Sequence, residues 1–164
     1  MGVSGCGKST VGAALAQYLT LPFLEGDEFH PADNVAKMSA GKPLDDDDRS
    51  GWLQALAAEI AQAREQGTGL VVSCSALKRR YRDLLRQADP ALRFVHLQGP
   101  AALIAERMAK RSDHYMPTSL LESQLRDLEP LQDDEAGIRL DISLPPPELV
   151  ARITEREQEG RQTK

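Results

Sequence analysis

Lys8 and Ser9 close a run of small residues, Gly2-Val3-Ser4-Gly5-Cys6-Gly7, so the chain opens with the spacing G-x-x-x-x-G-K-[ST], and Thr10 follows. Each residue type meets a demand of holding a nucleoside triphosphate. The glycines let backbone N–H groups from about Gly5 to Thr10 turn inward as a nest for phosphate oxygens. Lys8 brings a mobile cation to the β and γ phosphates, and Ser9 offers a hydroxyl to Mg2+. Val11, Ala14, Leu15 and Leu19 are apolar at helical spacing, so the loop opens a helix whose N-terminus faces the anion. A plain glycine-rich turn needs neither the lysine nor the hydroxyl beside its last glycine, and the pattern implies binding of ATP or GTP.

A second group of polar residues begins where the next apolar run ends, at Leu24-Glu25-Gly26-Asp27. In open α/β sheets the working groups stand at the carboxyl ends of strands. Asp27 is placed there to take the proton of an attacking hydroxyl or to order the water shell of Mg2+. His30, Asn34 and Lys37 recur at spacings of four and three, which puts them on one helix face, and Gly41-Lys42-Pro43-Leu44 and Arg49 follow. These donors suit a small, hydroxyl-rich, anionic substrate, with the planar fork of Arg49 able to hold a carboxylate through two bonds. Asp45–Asp48 reads first as a helix N-cap, with a metal site as the alternative.

The third apolar run, Leu70-Val71-Val72-Ser73-Cys74, ends in Ser75 rather than the Asp that often holds Mg2+ there, leaving Ser9 and Asp27 as the metal candidates. Lys78, Arg79, Arg80 and Arg82 come next, with Lys78 nearest the strand end. Arg107 and Arg111 lie four apart on a helix and could close over the triphosphate. The polar stretch that follows, with His114 and Tyr115, breaks the helix as a moving lid does, which places a lid at about 107–126.

These residues need a scaffold, and the rest of the chain supplies one. Apolar runs near Leu21–Leu24, Gly69–Cys74, Phe94–Leu97 and Ile138–Ile142 alternate with helical patterns near Lys8–Leu19, Pro31–Ser39, Arg49–Glu65, Lys78–Gln87, Ala101–Lys110, Thr118–Leu128 and Glu148–Glu157. Such alternation implies an α/β fold with a parallel sheet flanked by helices. The 164 residues fit one domain, 1–164, with a net charge of -5 and its basic residues scattered, which argues against a nucleic-acid partner. No apolar run is long enough to span a bilayer, no signal peptide precedes the loop, and Cys6 and Cys74 make no disulfide framework, so the expected location is cytoplasmic.

Taken together, the chain resembles the gluconate kinases, small P-loop kinases related to shikimate and adenylate kinases. The likeness is carried by Gly2–Thr10, Gly26-Asp27 with His30-Pro31, Asn34, Lys37-Met38, and Gly41-Lys42-Pro43-Leu44. It continues through Asp46-Asp47-Asp48-Arg49 with Trp52-Leu53, Cys74-Ser75-Ala76-Leu77-Lys78 with Tyr81-Arg82-Asp83, His114-Tyr115-Met116-Pro117, Leu120-Leu121 and Ser123-Gln124. The resemblance implies a three-layer α/β/α P-loop fold like that of the nucleoside monophosphate kinases. It also implies ATP- and Mg2+-dependent phosphorylation of the 6-hydroxyl of D-gluconate, and a homodimer. On it, Lys8, Asp27 and Arg111 are catalytic candidates, and Gly2, Val3, Ser4, Gly5, Cys6, Gly7, Lys8, Ser9, Thr10, Arg107 and Arg111 hold the nucleotide. Asp27, His30, Lys37, Arg49, Lys78, Arg82 and His114 are the substrate candidates. Two departures stand out: Tyr115 where phenylalanine is expected, and a phosphate loop starting at residue two, where the family has a preceding apolar strand. That strand is expected to be truncated here, with the natural start several residues earlier. The alternatives are a sibling kinase acting on shikimate or another sugar acid, and a non-catalytic nucleotide switch, for which no guanine-reading Asn-Lys-x-Asp is present.

Overall fold

The computed structural model describes residues 1–110 and 117–162. Helix α1 (Lys8–Leu19) runs as its apolar spacing predicts and stops at Thr20, which takes a left-handed conformation. Strand β1 (Phe23–Glu25) leads into a 3-10 turn over Gly26–Phe29, then α2 (Ala32–Ser39) and the long α3 (Asp46–Gln66). Helix α3 begins three residues before the expected Arg49 because Asp45 and Asp48 form a reciprocal cap. The Asp48 N–H donates to Asp45 Oδ1 at 2.9 Å, and the Asp45 N–H donates to Asp48 Oδ2 at 2.8 Å. The acidic run is therefore a helix start, and among the described residues no cluster of carboxylates, histidines or cysteines could hold a metal ion.

Strand β2 (Val71–Ser73), α4 (Arg79–Ala88), β3 (Phe94–Gln98) and α5 (Ala101–Ala109) follow in alternation. The predicted helix Thr118–Leu128 divides into a 3-10 turn at Thr118–Leu120 and α6 (Leu121–Asp127), and β4 (Gly137–Asp141) and α7 (Pro146–Gln162) complete the order.

The strands pair in parallel, β1 with β2 (Leu24 opposite Val72) and β3 with β4 (His96 opposite Arg139). Met1 and Gly2 join the two pairs. The Met1 amine donates to the Val95 carbonyl at 2.5 Å, the Leu97 N–H donates to the Met1 carbonyl at 3.0 Å, and the Gly2 N–H donates to the Ser75 carbonyl at 3.1 Å. Alongside that bridge, an apolar groove of about 470 Å³ lies between β2 and β3, lined by Val72, Val95, Ile60 and Leu85 among others.

Two cores lie on opposite faces of this sheet, as a three-layer fold requires. On one face Val11 and Leu15 of α1 pack with Ile104 and Met108 of α5 and Leu149, Val150 and Ile153 of α7. On the other, Trp52, Leu53, Leu56 and Ile60 of α3 pack with Tyr81 and Leu85 of α4, Phe94 and Leu131. A third, small cluster of Met38, Leu44 and Leu120 ties α2 to the turn before α6.

Candidate active site

The phosphate loop needs its glycines for room as well as for curvature. Gly5, at φ 83°, lies against α5, where a Cβ would meet Met108 Cγ at 2.5 Å. Gly7, at φ 95°, is the N-cap of α1, and nothing lies within 4 Å of where its Cβ would be, so the loop's mouth stays open. The Lys8 ammonium folds back onto the Val3 carbonyl at 3.0 Å, a bond that spans the loop and holds the charge over it. Ser9 and Thr10 are exposed in the first turn of α1, beside the N–H groups that helix leaves without internal partners. Gln124 of α6 braces the loop from outside by accepting the Ser4 N–H at 2.6 Å. The sequence reading assigned Gln124 no role, because its partner stands 120 residues away.

Asp27 emerges from β1 in the first position after Gly26, whose bare Cα is pressed onto β2. A Cβ on Gly26 would sit 2.2 Å from the Ser73 carbonyl oxygen. This close contact brings the 3-10 turn to the end of β2, next to the phosphate loop. Burial pushes the Cys74 thiol up to about 11, and Asp27 and Lys8 both lie near enough to act on it with opposite signs. The two predicted reactive groups thus both lie near the end of β2.

His30 closes the turn, its ring stacked on Trp52 at 4.3 Å between centroids and 14° between planes. Burial pushes His30 down to about 4, while Asp27 pulls it up and Arg49 pulls it further down, so the imidazole is neutral at pH 7. Arg49, buried in the first turns of α3, faces the Tyr81 ring at 5.8 Å. His30 Nδ1, Arg49 Nε and the Ser73 hydroxyl are buried without a hydrogen-bond partner. Buried polar atoms are ordinarily paired, so unpaired ones beside Asp27 mark a place where a polar ligand completes the bonding.

Other sequence candidates are engaged elsewhere. Lys37 binds the Asp48 carboxylate of the α3 cap, with Asp45 3.6 Å away, and the Asp48 bond raises its pKa. Lys78 donates to Asp46 Oδ1 at 3.0 Å, and Asp46 also takes Tyr81 Oη and Arg80, so one carboxylate gathers two cations and a hydroxyl at the start of α4. Arg82 is fully buried and turned away from the site, paired with Glu135 and bonded to the carbonyls of Ala76, Leu77 and Glu129. It holds the bend in which Ala76 takes a left-handed φ of 41°. Arg107 donates to the Ile142 carbonyl at 2.8 Å. Arg111, His114 and Tyr115 lie outside the described residues.

Trp52 was legible only as part of a family pattern, although its position three residues after Arg49 puts both on one face of α3.

Comparison with known proteins finds kinases of small molecules. The family model for shikimate kinase matches residues 4–158. The gluconokinase of Gluconobacter oxydans (strain 621H) is 48% identical over 140 residues, covering 85% of this chain and 79% of that protein. The thermoresistant gluconokinase of Escherichia coli (strain K12) is 44% identical over 163 residues, covering 98% and 93%. The crystal structure of an unliganded sugar kinase from Janibacter sp. HTCC2649 superposes with a TM-score of 0.89 at 49% identity, covering 93% of this chain and 88% of that one.

Proposed function

The chain belongs to the gluconokinase family, and from that premise we infer that it transfers the γ-phosphoryl group of ATP to the 6-hydroxyl of D-gluconate, giving 6-phospho-D-gluconate. The observation that carries this reading is the set of buried, unpaired atoms of His30, Arg49 and Ser73 beside Asp27. A polyhydroxylated carboxylate has both acceptors and donors for such a pocket, and the neutral imidazole of His30 can serve a hydroxyl as either.

Phosphoryl transfer asks a protein mainly for positioning and for charge stabilisation. Lys8 and the N–H groups of the loop hold the β and γ phosphates, while Asp27 accepts the proton of the attacking hydroxyl as the new P–O bond forms. Arg49 orients the far end of the substrate through its carboxylate. The exposed Ser9 hydroxyl and the Asp27 carboxylate are the oxygen donors available to Mg2+, a donor set that suits a hard cation. When bound, the metal neutralises charge on the phosphates. Residues 107–126 act as a lid, with Arg107 and Arg111 closing over the nucleotide. A homodimer and a cytoplasmic location belong to the same proposal.

The test is ADP release, followed with Mg·ATP and a panel of sugar acids together with shikimate. Turnover restricted to gluconate is the expected result. Turnover with shikimate alone makes the protein a sibling kinase, and turnover without any acceptor makes it a nucleotide switch.

A further inference from the structure

Trp52 is the only tryptophan of the chain and is fully buried, yet both of its polar and aromatic contacts go to the turn that carries Asp27. Its indole N–H donates to the Gly26 carbonyl at 2.7 Å. Its ring face lies on the His30 imidazole. Gly26 and His30 are the residues at the two ends of the Asp27 segment, and the His30 N–H closes that segment onto the Asp27 carbonyl at 3.4 Å. Gly26 also lies close against β2, where a Cβ would sit 2.2 Å from the Ser73 carbonyl oxygen. The peptide leading into Asp27 is therefore held between β2 and the indole, and the residue closing the turn is held flat against the same ring. A buried indole N–H ordinarily takes an acceptor, and here the acceptor and the stacked ring both belong to the one turn that carries Asp27.

We propose that Trp52 is a positioning residue for phosphoryl transfer, which sets the placement of Asp27 and His30 by gripping the turn at Gly26 and at the imidazole. This rests on the assignment of Asp27 as the group that meets the acceptor hydroxyl. Because Trp52 and Arg49 share a face of α3, one helix fixes both ends of the acceptor pocket, and a rigid element is what such alignment needs. The stack also shields His30 from water.

Trp52→Phe separates positioning from filling. Phenylalanine keeps an apolar ring in the core and removes the N–H, leaving the Gly26 carbonyl without its partner. The expected result is a loss in kcat of about 10- to 100-fold, the scale on which small misplacements act, with KM for ATP within about twofold of wild type. In the substrate-free protein, the Asp27 amide, which shares its peptide with the Gly26 carbonyl, should shift in the NMR spectrum as that carbonyl loses its donor. Wild-type kcat together with an unmoved Asp27 amide overturns the proposal and makes Trp52 a core residue. The wild-type protein gives a measurement that does not depend on the variant folding. Emission from the single tryptophan should change saturably as gluconate is added without nucleotide, and an unchanged emission in a protein that turns gluconate over overturns the proposal. A wild-type protein that ignores gluconate defeats the functional reading instead, and the Asp27 amide shift, which needs no substrate, still decides whether Trp52 holds the turn.

Discussion

Arg82 and Glu135 meet as a two-bonded ion pair inside the protein, Nε to Oε1 and Nη2 to Oε2 both at 2.7 Å, with neither side chain exposed. Arg86 adds a third bond to the same carboxylate, at 2.9 Å. The pair joins α4 to the segment that leads into β4, 53 residues later. Its other donors hold the Ala76–Leu77 bend, through which the end of β2 is presented to the site.

Glu135→Gln should therefore damage the fold and spare the acceptor pocket. Breaking one side of a buried pair leaves an uncompensated charge and costs about 3–5 kcal/mol. The Arg82 bond holds the Glu135 carboxyl down to about 2, below its ordinary 4.5. The stabilisation is thus present above pH 4.5 and lost as pH falls toward 2. Urea unfolding at pH 7 should show the loss, while KM for gluconate stays near wild type. An unchanged urea midpoint with a raised KM would return Arg82 to the substrate.

Local spacing carried most of what was legible from the residues. The phosphate loop, α1 and the alternation of strands with helices all rest on patterns within about twenty residues, and the capping role of Asp45 rests on a partner three residues away. Lys37 and Arg82 have partners that local spacing does not reveal. Their carboxylates, Asp48 and Glu135, stand 11 and 53 residues away, and a basic side chain near a site looks the same in sequence whether or not it is already paired. The strand limits moved as well. The run Gly69–Cys74 contains only three residues of β2 ladder, since pairing, not hydropathy, decides where a strand ends. The orphaned atoms of His30 and Arg49 come from packing between the turn after β1 and α3, and no spacing rule announces them.

His96 of β3 is about 1% exposed, and neither ring nitrogen has a partner. Burial pushes it down to about 4, helped by the Met1 amine, Arg82 and Arg139 and opposed by Glu135. A histidine depressed on folding contributes stability that is complete above about pH 6.5 and is lost as the pH falls toward 4. Urea midpoints at pH 7.5 and 5.0 should therefore differ more for the wild type than for His96→Leu, which has nothing to charge. Equal differences would show that His96 takes its proton freely in the folded protein.

Gly26 has no room for a methyl group. A Cβ there lies 2.2 Å from a backbone oxygen, which cannot swing aside as a flexible side chain can. Gly26→Ala should cost about 1–3 kcal/mol, the usual range for overpacking. It should also lower kcat, because the relief must move the turn bearing Asp27. Thermal denaturation together with steady-state kinetics checks both, and an alanine variant matching wild type in each would mean that β1 and β2 part easily at this point.

Asp27→Asn removes the base and keeps the shape. The turn that carries residue 27 is held through backbone atoms, the Gly26 carbonyl by Trp52 and the Asp27 carbonyl by the His30 N–H. An amide side chain should therefore leave the turn in place. If Asp27 takes the hydroxyl proton, kcat should fall by about 10²-fold or more, the typical contribution of a general base. ATP binding should persist, because Lys8 and the loop hold the phosphates independently of residue 27. Nucleotide titration calorimetry and turnover measured on the same preparation separate the two effects. Near-wild-type turnover would reduce Asp27 to a cap on its own turn. Loss of nucleotide binding in parallel with turnover would place its carboxylate chiefly on the metal, because a base that acts only as the hydroxyl attacks has no part in holding ATP.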